Sequence, residues 1–456
     1  MDSTSATQTA DPAMALAALT GFSRAAVERL SAAKAEPDWV LAARLAAWDT
    51  YESLPMPTTT VEEWRRTALR GLKLDNQVPF APETERIASL DDLQVTSRET
   101  ALAIGGERAG MTVQRDASTV YTEAAASFAA RGVIFTDLDT AIRDHADLIQ
   151  KHFMTTAVPA GLGKFQALHG AMWQGGTFLY VPAGVSVGVP FQSFVLGETP
   201  GTATFNHSLV VLEEGAEAFF VDAYHSETAG KQSYASETIE LILAKDAKLR
   251  YVQVQDWGRH TVNMATQRAT LAADAELKSL QVTIGSKWSK NSIGAHLQGR
   301  NAVAEMLGIF FADGDQFFDH HTYQLHESGY ATSDLEFKGA LKDTARSVYS
   351  GLIRVSEGAQ KTDAFQANRN LILSRGARAD TIPNLEIAAN DVRCTHGATV
   401  SQVEEEHIFY LQARGIPRSE AQKLIVEGFF RPVIDRIPVE EIQDFLKAAI
   451  GRKVGI

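Results

Sequence analysis

Hydrophobic positions change their spacing twice along this chain. Over residues 13–70 they recur at helical intervals, and Pro37-Asp38 opens a run in which Val40, Leu41, Leu45 and Trp48 fall at helical spacing. The phrase Leu54-Pro55-Met56-Pro57 breaks that pattern. Thr60-Val61-Glu62-Glu63 then matches a capping box, with Thr60 as the cap and Glu63 reaching back. Residues 80–155 are mixed: strands are expected within Thr112–Tyr121 and a short amphipathic helix over Asp137–His152.

From about 175 to 400 the texture turns to short β-rich runs separated by turns. Val252-Gln253-Val254-Gln255 alternates as a strand does. One phrase recurs, a polar or Gly/Asp turn, then Ala, then a strand-like run. It appears as Glu214-Gly215-Ala216, Lys245-Asp246-Ala247, Ala273-Asp274-Ala275, Arg300-Asn301-Ala302, Asp343-Thr344-Ala345 and Arg375-Gly376-Ala377. The Ala-to-Ala intervals are 31, 28, 27, 43 and 32 residues, a quasi-period of about 30 apart from the fourth. Such repeats predict stacked rungs, each burying its neighbour's apolar face. A β-solenoid and an elongated β-sandwich both satisfy the pattern.

After 400 the spacing returns to helical. Ser401-Gln402-Val403-Glu404 is a second capping box, followed by Ile408, Phe409, Leu411 and a stop at Gly415. Ser419–Phe430 is a second helix, and Pro438 starts a third with Ile442, Phe445, Leu446 and Ile450 on one face. The β-domain ought to be complete without these helices, which must pack on it or on a partner.

The chain of 456 residues is long enough for two or three domains. Its 45% hydrophobic and 22% charged content is that of a soluble protein. A net charge of −13 argues against nucleic acid or an anionic membrane as partner. No uncharged apolar stretch reaches the roughly 18 residues a membrane-spanning helix needs. The N-terminus, with Asp2 and Asp11, lacks the basic-then-apolar order of a secretory signal, and its first dozen residues are expected to be disordered. The single cysteine excludes an intrachain disulfide framework and fits a reducing, cytoplasmic location.

That cysteine belongs to the main candidate site. Cys394 and His396 sit two apart in a strand-like stretch, so both side chains face one way. Thiolate and imidazole are ligands for soft or borderline metals, but two ligands leave a tetrahedral site open, to be closed from elsewhere or from another chain. The competing reading is a semi-buried Cys beside a hydrogen-bonded His. A second candidate is Asp319-His320-His321-Thr322-Tyr323-Gln324-Leu325-His326, in which His320 and His326 share strand parity and His321 faces the other way. A cupin-like iron enzyme built there would want His-x-His, and adjacent histidines break that spacing. A polysaccharide-active β-helix would need clustered carboxylates or Arg on a groove, and usually a secretory signal. There is no GxxxxGK[ST] loop, so no ATP is expected to bind this chain, and no GxSxG, HExxH or CxxC.

Several longer phrases carry a resemblance. They are Lys361-Thr362-Asp363-Ala364-Phe365-Gln366, Asn368-Arg369-Asn370-Leu371, Pro383-Asn384-Leu385-Glu386-Ile387 and Asp391-Val392-Arg393-Cys394-Thr395-His396-Gly397-Ala398-Thr399. With Tyr180-Val181-Pro182, Asp319-His320-His321-Thr322 and Arg414-Gly415-Ile416, they resemble the SufB/SufD family of the SUF iron–sulfur cluster assembly machinery. The likeness is closer to the SufD branch. SufB chains usually carry several cysteines, one of them in the core, whereas the corresponding stretch here, Gln366–Leu371, has no thiol.

The resemblance implies a mainly β fold with helical ends: a right-handed parallel β-helix core flanked by N-terminal and C-terminal α-helical regions. The implied divisions are 1–155, 156–400 and 401–456. It further implies a non-catalytic scaffold in a SufBCD complex, with a SufB-like chain along the β-helix and a SufC-like ABC ATPase on the C-terminal helices. A SufB-like scaffold and a SufD-like homodimer are the alternatives. Cys394 and His396 become candidate metal ligands at the SufB-facing end, for iron or a transient iron–sulfur cluster shared with SufB. A reduced flavin is associated with such assemblies, but no flavin motif stands in this sequence to assign one.

Overall fold

The computed structural model describes residues 20–93, 107–437 and 440–455. The first dozen residues and the helix start at Pro438 lie outside them.

The N-terminal layer begins with two helices, Arg24–Ala33 and Asp38–Ser53. Ser23 caps the first by accepting the Ala26 N–H. The second starts directly after Pro37 and buries Val40, Ala47 and Trp48, and with them Arg44. Arg44 is 1% exposed, pairs with Glu36 at 2.6 Å and lies 4.0 Å over the Trp173 ring. The expected helix over Asp137–His152 is two, Leu138–Asp144 and Ala146–His152, broken where His145 leaves helical geometry. Strands Gly110–Arg115 and Ser118–Ala124 occupy the stretch where strands were expected. The first capping box does not form. Glu62–Trp64 is a single 3-10 turn without a side-chain cap, and Glu63 instead accepts the Tyr323 hydroxyl at 2.7 Å. A long-range partner has outcompeted the local one.

The core is a parallel β-helix. Its strands fall into a ten-stranded and a nine-stranded sheet that alternate along the chain, so each turn gives one strand to each. Glu217, Lys248, Glu276, Val303, Thr332, Asp363 and Arg393 stand in register on successive rungs of the larger sheet. Before five of them the chain turns through a left-handed residue, Gly215, Asp246, Asp274, Asn301 or Tyr330, followed by a fully buried Ala. Gly, Asp and Asn tolerate that backbone, and only a small side chain fits inside the turn. The anomalous fourth interval is thereby explained. Ala302 is followed by Ala331, hidden behind the atypical turn residue Tyr330, whereas Ala345 and Ala377 precede strands of the other sheet.

Three helices follow, Glu405–Gln412, Arg418–Ile434 and Glu440–Val454. Ser401 remains in the strand Arg393–Gln402, so the second capping box does not form either; Glu404 starts the helix without a side-chain bond. Val426, Phe430, Val433, Ile442, Leu446 and Ile450 pack on Val252, Val254, Leu280, Val282, Leu307 and Ile309, on the outer face of the larger sheet. The β-domain is therefore not complete without these helices. Each such side chain, fully buried, stabilises by roughly 1.5–3 kcal/mol, and the sheet alone would expose its half of the contact. Among the described residues no helix is long and apolar enough to cross a membrane.

Candidate functional site

Cys394 and His396 stand on the last strand, Arg393–Gln402, opposite Ala364 and Gln366 of the preceding rung. Ala364 and Gln366 are fully buried, so this parity faces the bore of the β-helix. The strands Arg393–Gln402 and Arg378–Ile387 are each the outermost of their sheet, and one side of each backbone has no strand partner among the described residues. The bore opens there: Ile387 is 42% and Val400 47% exposed.

The two candidate ligands experience this opening differently. Cys394 packs among Ile353, Val355, Ala359, Ala364, Leu385 and Val392. Burial pushes its thiol pKa up, the Asp363 carboxylate adds to that, and a hydrogen bond from the Ala364 backbone opposes it. The His396 ring lies in solvent. Among the described residues no three His, Cys, Asp or Glu side chains converge as a metal site. This donor pair fits part of a coordination shell, not a closed one.

The second histidine cluster separates by parity. His320 and His326 face the bore, bonding Thr283 at 3.1 Å and Ser333 at 2.8 Å, and burial lowers each pKa to about 4. His321 faces outward and bonds Asp319 at 2.9 Å. Both sets have hydrogen-bonded, structural partners.

Sequence reasoning missed how polar the bore is. Asp222 accepts from Ser208 and Tyr224, and Glu237 accepts from Gln253 and Trp257, all buried. Burial raises Asp222 to about 6 and Glu237 to about 8. Polar side chains continue through Thr322 and Tyr349 to Gln366 and Asn370, next to the open rung. The signal was present in Val252-Gln253-Val254-Gln255, whose glutamines face inward and whose valines lie under the C-terminal helices. A second buried chain runs Ser236–His169–His207–Glu240 at 3.0, 3.2 and 3.1 Å. Glu240 also accepts the Met154 and Val158 N–H groups and so clamps the N-terminal layer to the sheet.

The C-terminal helices leave three large apolar side chains exposed. Phe409 is 71%, Tyr410 56% and Leu424 41% exposed. Only Val403 and Glu404 separate the strand bearing Cys394 and His396 from the helix bearing Phe409.

Comparisons with known proteins point to one family. Residues 194–429 match the family model described as SUF system FeS cluster assembly, SufBD core domain, and 111–193 match that of the SufBD protein N-terminal region. The chain is 33% identical over 427 residues to the iron–sulfur cluster assembly protein SufD of Bacillus subtilis, covering 92% of this chain and 95% of the relative. It is 29% identical over 445 residues to an iron–sulfur cluster assembly SufBD family protein of Staphylococcus saprophyticus, covering 95% and 94%.

Proposed function

This chain belongs to the SufBD family of iron–sulfur cluster assembly proteins and is SufD-like by its relatives, and from that we propose that it is a non-catalytic scaffold of a SufBCD-type complex in the cytoplasm. The observation that carries the reading is the open last rung. Two sheet edges and an exposed bore end invite strand addition by a second β-helix, in which main-chain hydrogen bonds supply affinity. A SufB-like chain is the proposed occupant, and a second copy of this chain is the alternative. The exposed Phe409, Tyr410 and Leu424 form the proposed seat for a SufC-like ABC ATPase.

Iron or a nascent cluster is cargo in this scheme. Cys394 and His396 would supply two ligands, and the partner would complete the shell. Burial keeps the Cys394 thiol protonated at neutral pH, so metal capture must release its proton and weakens as pH falls. Because the strand runs almost directly into the Phe409 helix, movement of a docked ATPase would be transmitted to the rung that holds these ligands.

The test uses Cys394→Ser and His396→Ala in the co-expressed complex, with stoichiometry and cluster content measured on the same preparations. Ligands predict intact complexes with reduced cluster formation. Intact complexes with undiminished cluster formation refute the assignment, and loss of the SufB-like chain before loss of clusters gives the pair a structural role.

A further inference from the structure

On the outer face of the nine-stranded sheet, beside residues 54–64 and the helix Lys164–Met172, lies a cavity of about 770 Å³. Small-molecule sites span roughly 300–1,000 Å³. Its floor is one cross-strand row: Arg268, Gly294 and Tyr323 stand in register on adjacent strands. Gly294 provides the room, because a Cβ there would come within 2.9 Å of the Arg268 Cδ. The Arg268 side chain reaches across it and its guanidinium carbon sits 4.8 Å from the Tyr323 ring centre.

Among the described residues no carboxylate hydrogen-bonds to the charge on this floor, although Glu63 lines the same cavity. Arg268 Nη1 donates to the main-chain oxygens of Gln267 and Ser292, and Nη2 to the Ser292 hydroxyl, each at 2.8 Å. All three acceptors are neutral. Among the described residues no carboxylate pairs with Arg268, and Glu63, the acid acting on it, already accepts the Tyr323 hydroxyl. The unused donors are Nε–H and the second Nη2–H, the side-on fork that matches two oxygens of one oxyanion. Lys164, also lining the cavity, donates only to the Tyr51 and Leu54 carbonyls. The other two cations are committed, Lys290 to Asp319 and Arg354 to Glu386. Against this floor stand Met56, Val61 and Leu162, 42%, 46% and 47% exposed. In a chain of net charge −13, Arg268 and Lys164 hydrogen-bond only neutral acceptors among the described residues, beside an apolar rim.

We propose that this groove binds a small amphipathic oxyanion, an apolar or aromatic body carrying a phosphate, sulfonate or carboxylate group. The oxyanion meets the Arg268 fork with Lys164 nearby, and the body rests on Met56, Val61 and Leu162.

The probe is anilinonaphthalene sulfonate, titrated by fluorescence against the full chain, with phenyl phosphate and phenol as competitors. The expected result is one saturable site displaced by phenyl phosphate and not by phenol. Arg268→Gln should weaken it by about tenfold or more, as loss of a bidentate charged contact does. Met56→Glu, which touches only the exposed rim, should weaken it similarly and decides the matter if Arg268→Gln fails to fold. Lys245→Gln, an exposed turn cation outside the cavity, should leave it unchanged. Wild-type binding in both Arg268→Gln and Met56→Glu, or equal displacement by phenol, overturns the proposal.

Discussion

Phe409→Ser tests the proposed ATPase seat at its most exposed point. The ring is 71% exposed, so the free chain loses little packing when it is removed, and folding stability should change by less than about 0.5 kcal/mol. Full burial of a Phe side chain stabilises by roughly 1.5–3 kcal/mol, and the share still available at this position is about 1–2 kcal/mol. Lost on docking, that corresponds to a Kd for the SufC-like ATPase weakened by roughly 5- to 30-fold. Tyr410 beside it is held by Arg414, whose guanidinium lies 4.4 Å over the ring, so its orientation is set before docking. The double variant with Tyr410→Ser should therefore lose more than either single change. The assay is calorimetric titration of purified ATPase into the chain, with thermal melts alongside. Unaltered affinity of the double variant, with an unaltered melt, would refute the assignment of this face.

Other consequences are equally direct. Val400→Asp should be tolerated in the isolated chain, because the site is 47% exposed, yet should weaken pairing with the SufB-like chain by at least about a hundredfold if the last rung is covered there, since a carboxylate would be buried without a partner; size-exclusion of the mixed chains reads this. Glu237 holds its proton up to about pH 8 in the folded chain against an ordinary 4.5. Its contribution is fully present below about pH 4.5 and is lost as pH rises through about 8, by up to several kcal/mol. Glu237→Gln, neutral throughout, should flatten that loss in denaturant titrations at acidic and alkaline pH, and an unchanged slope would count against a neutral Glu237. Arg44→Ala strands Glu36 at 4% exposure and should cost about 3–5 kcal/mol, seen as a lowered Tm.

The sequence carried the local periods. It marked strands between about 175 and 400, the Ala-after-turn repeat, the helices at both ends, and the shared face of Cys394 and His396, because side-chain direction follows from backbone geometry alone. It could not say which face turns inward. The Val and Gln of 252–255 alternate as a strand should, yet the glutamines line the bore and the valines are buried from outside, because helices some 170 residues later cover that face. Both capping boxes were sound local motifs that lost, one to the Tyr323 hydroxyl and one to continuation of the last strand. Tyr330 concealed a rung because a tyrosine is not a residue that signals a left-handed turn in sequence. That Cys394 is packed while His396 is exposed, and that their rung is the last, follows from what stands beside them. The Arg268–Gly294–Tyr323 row exists only once three strands are in register. Period is a property of neighbours in sequence; facing, closure and charge pairing come from residues about 30 or more apart, whose contacts form only when the rungs stack.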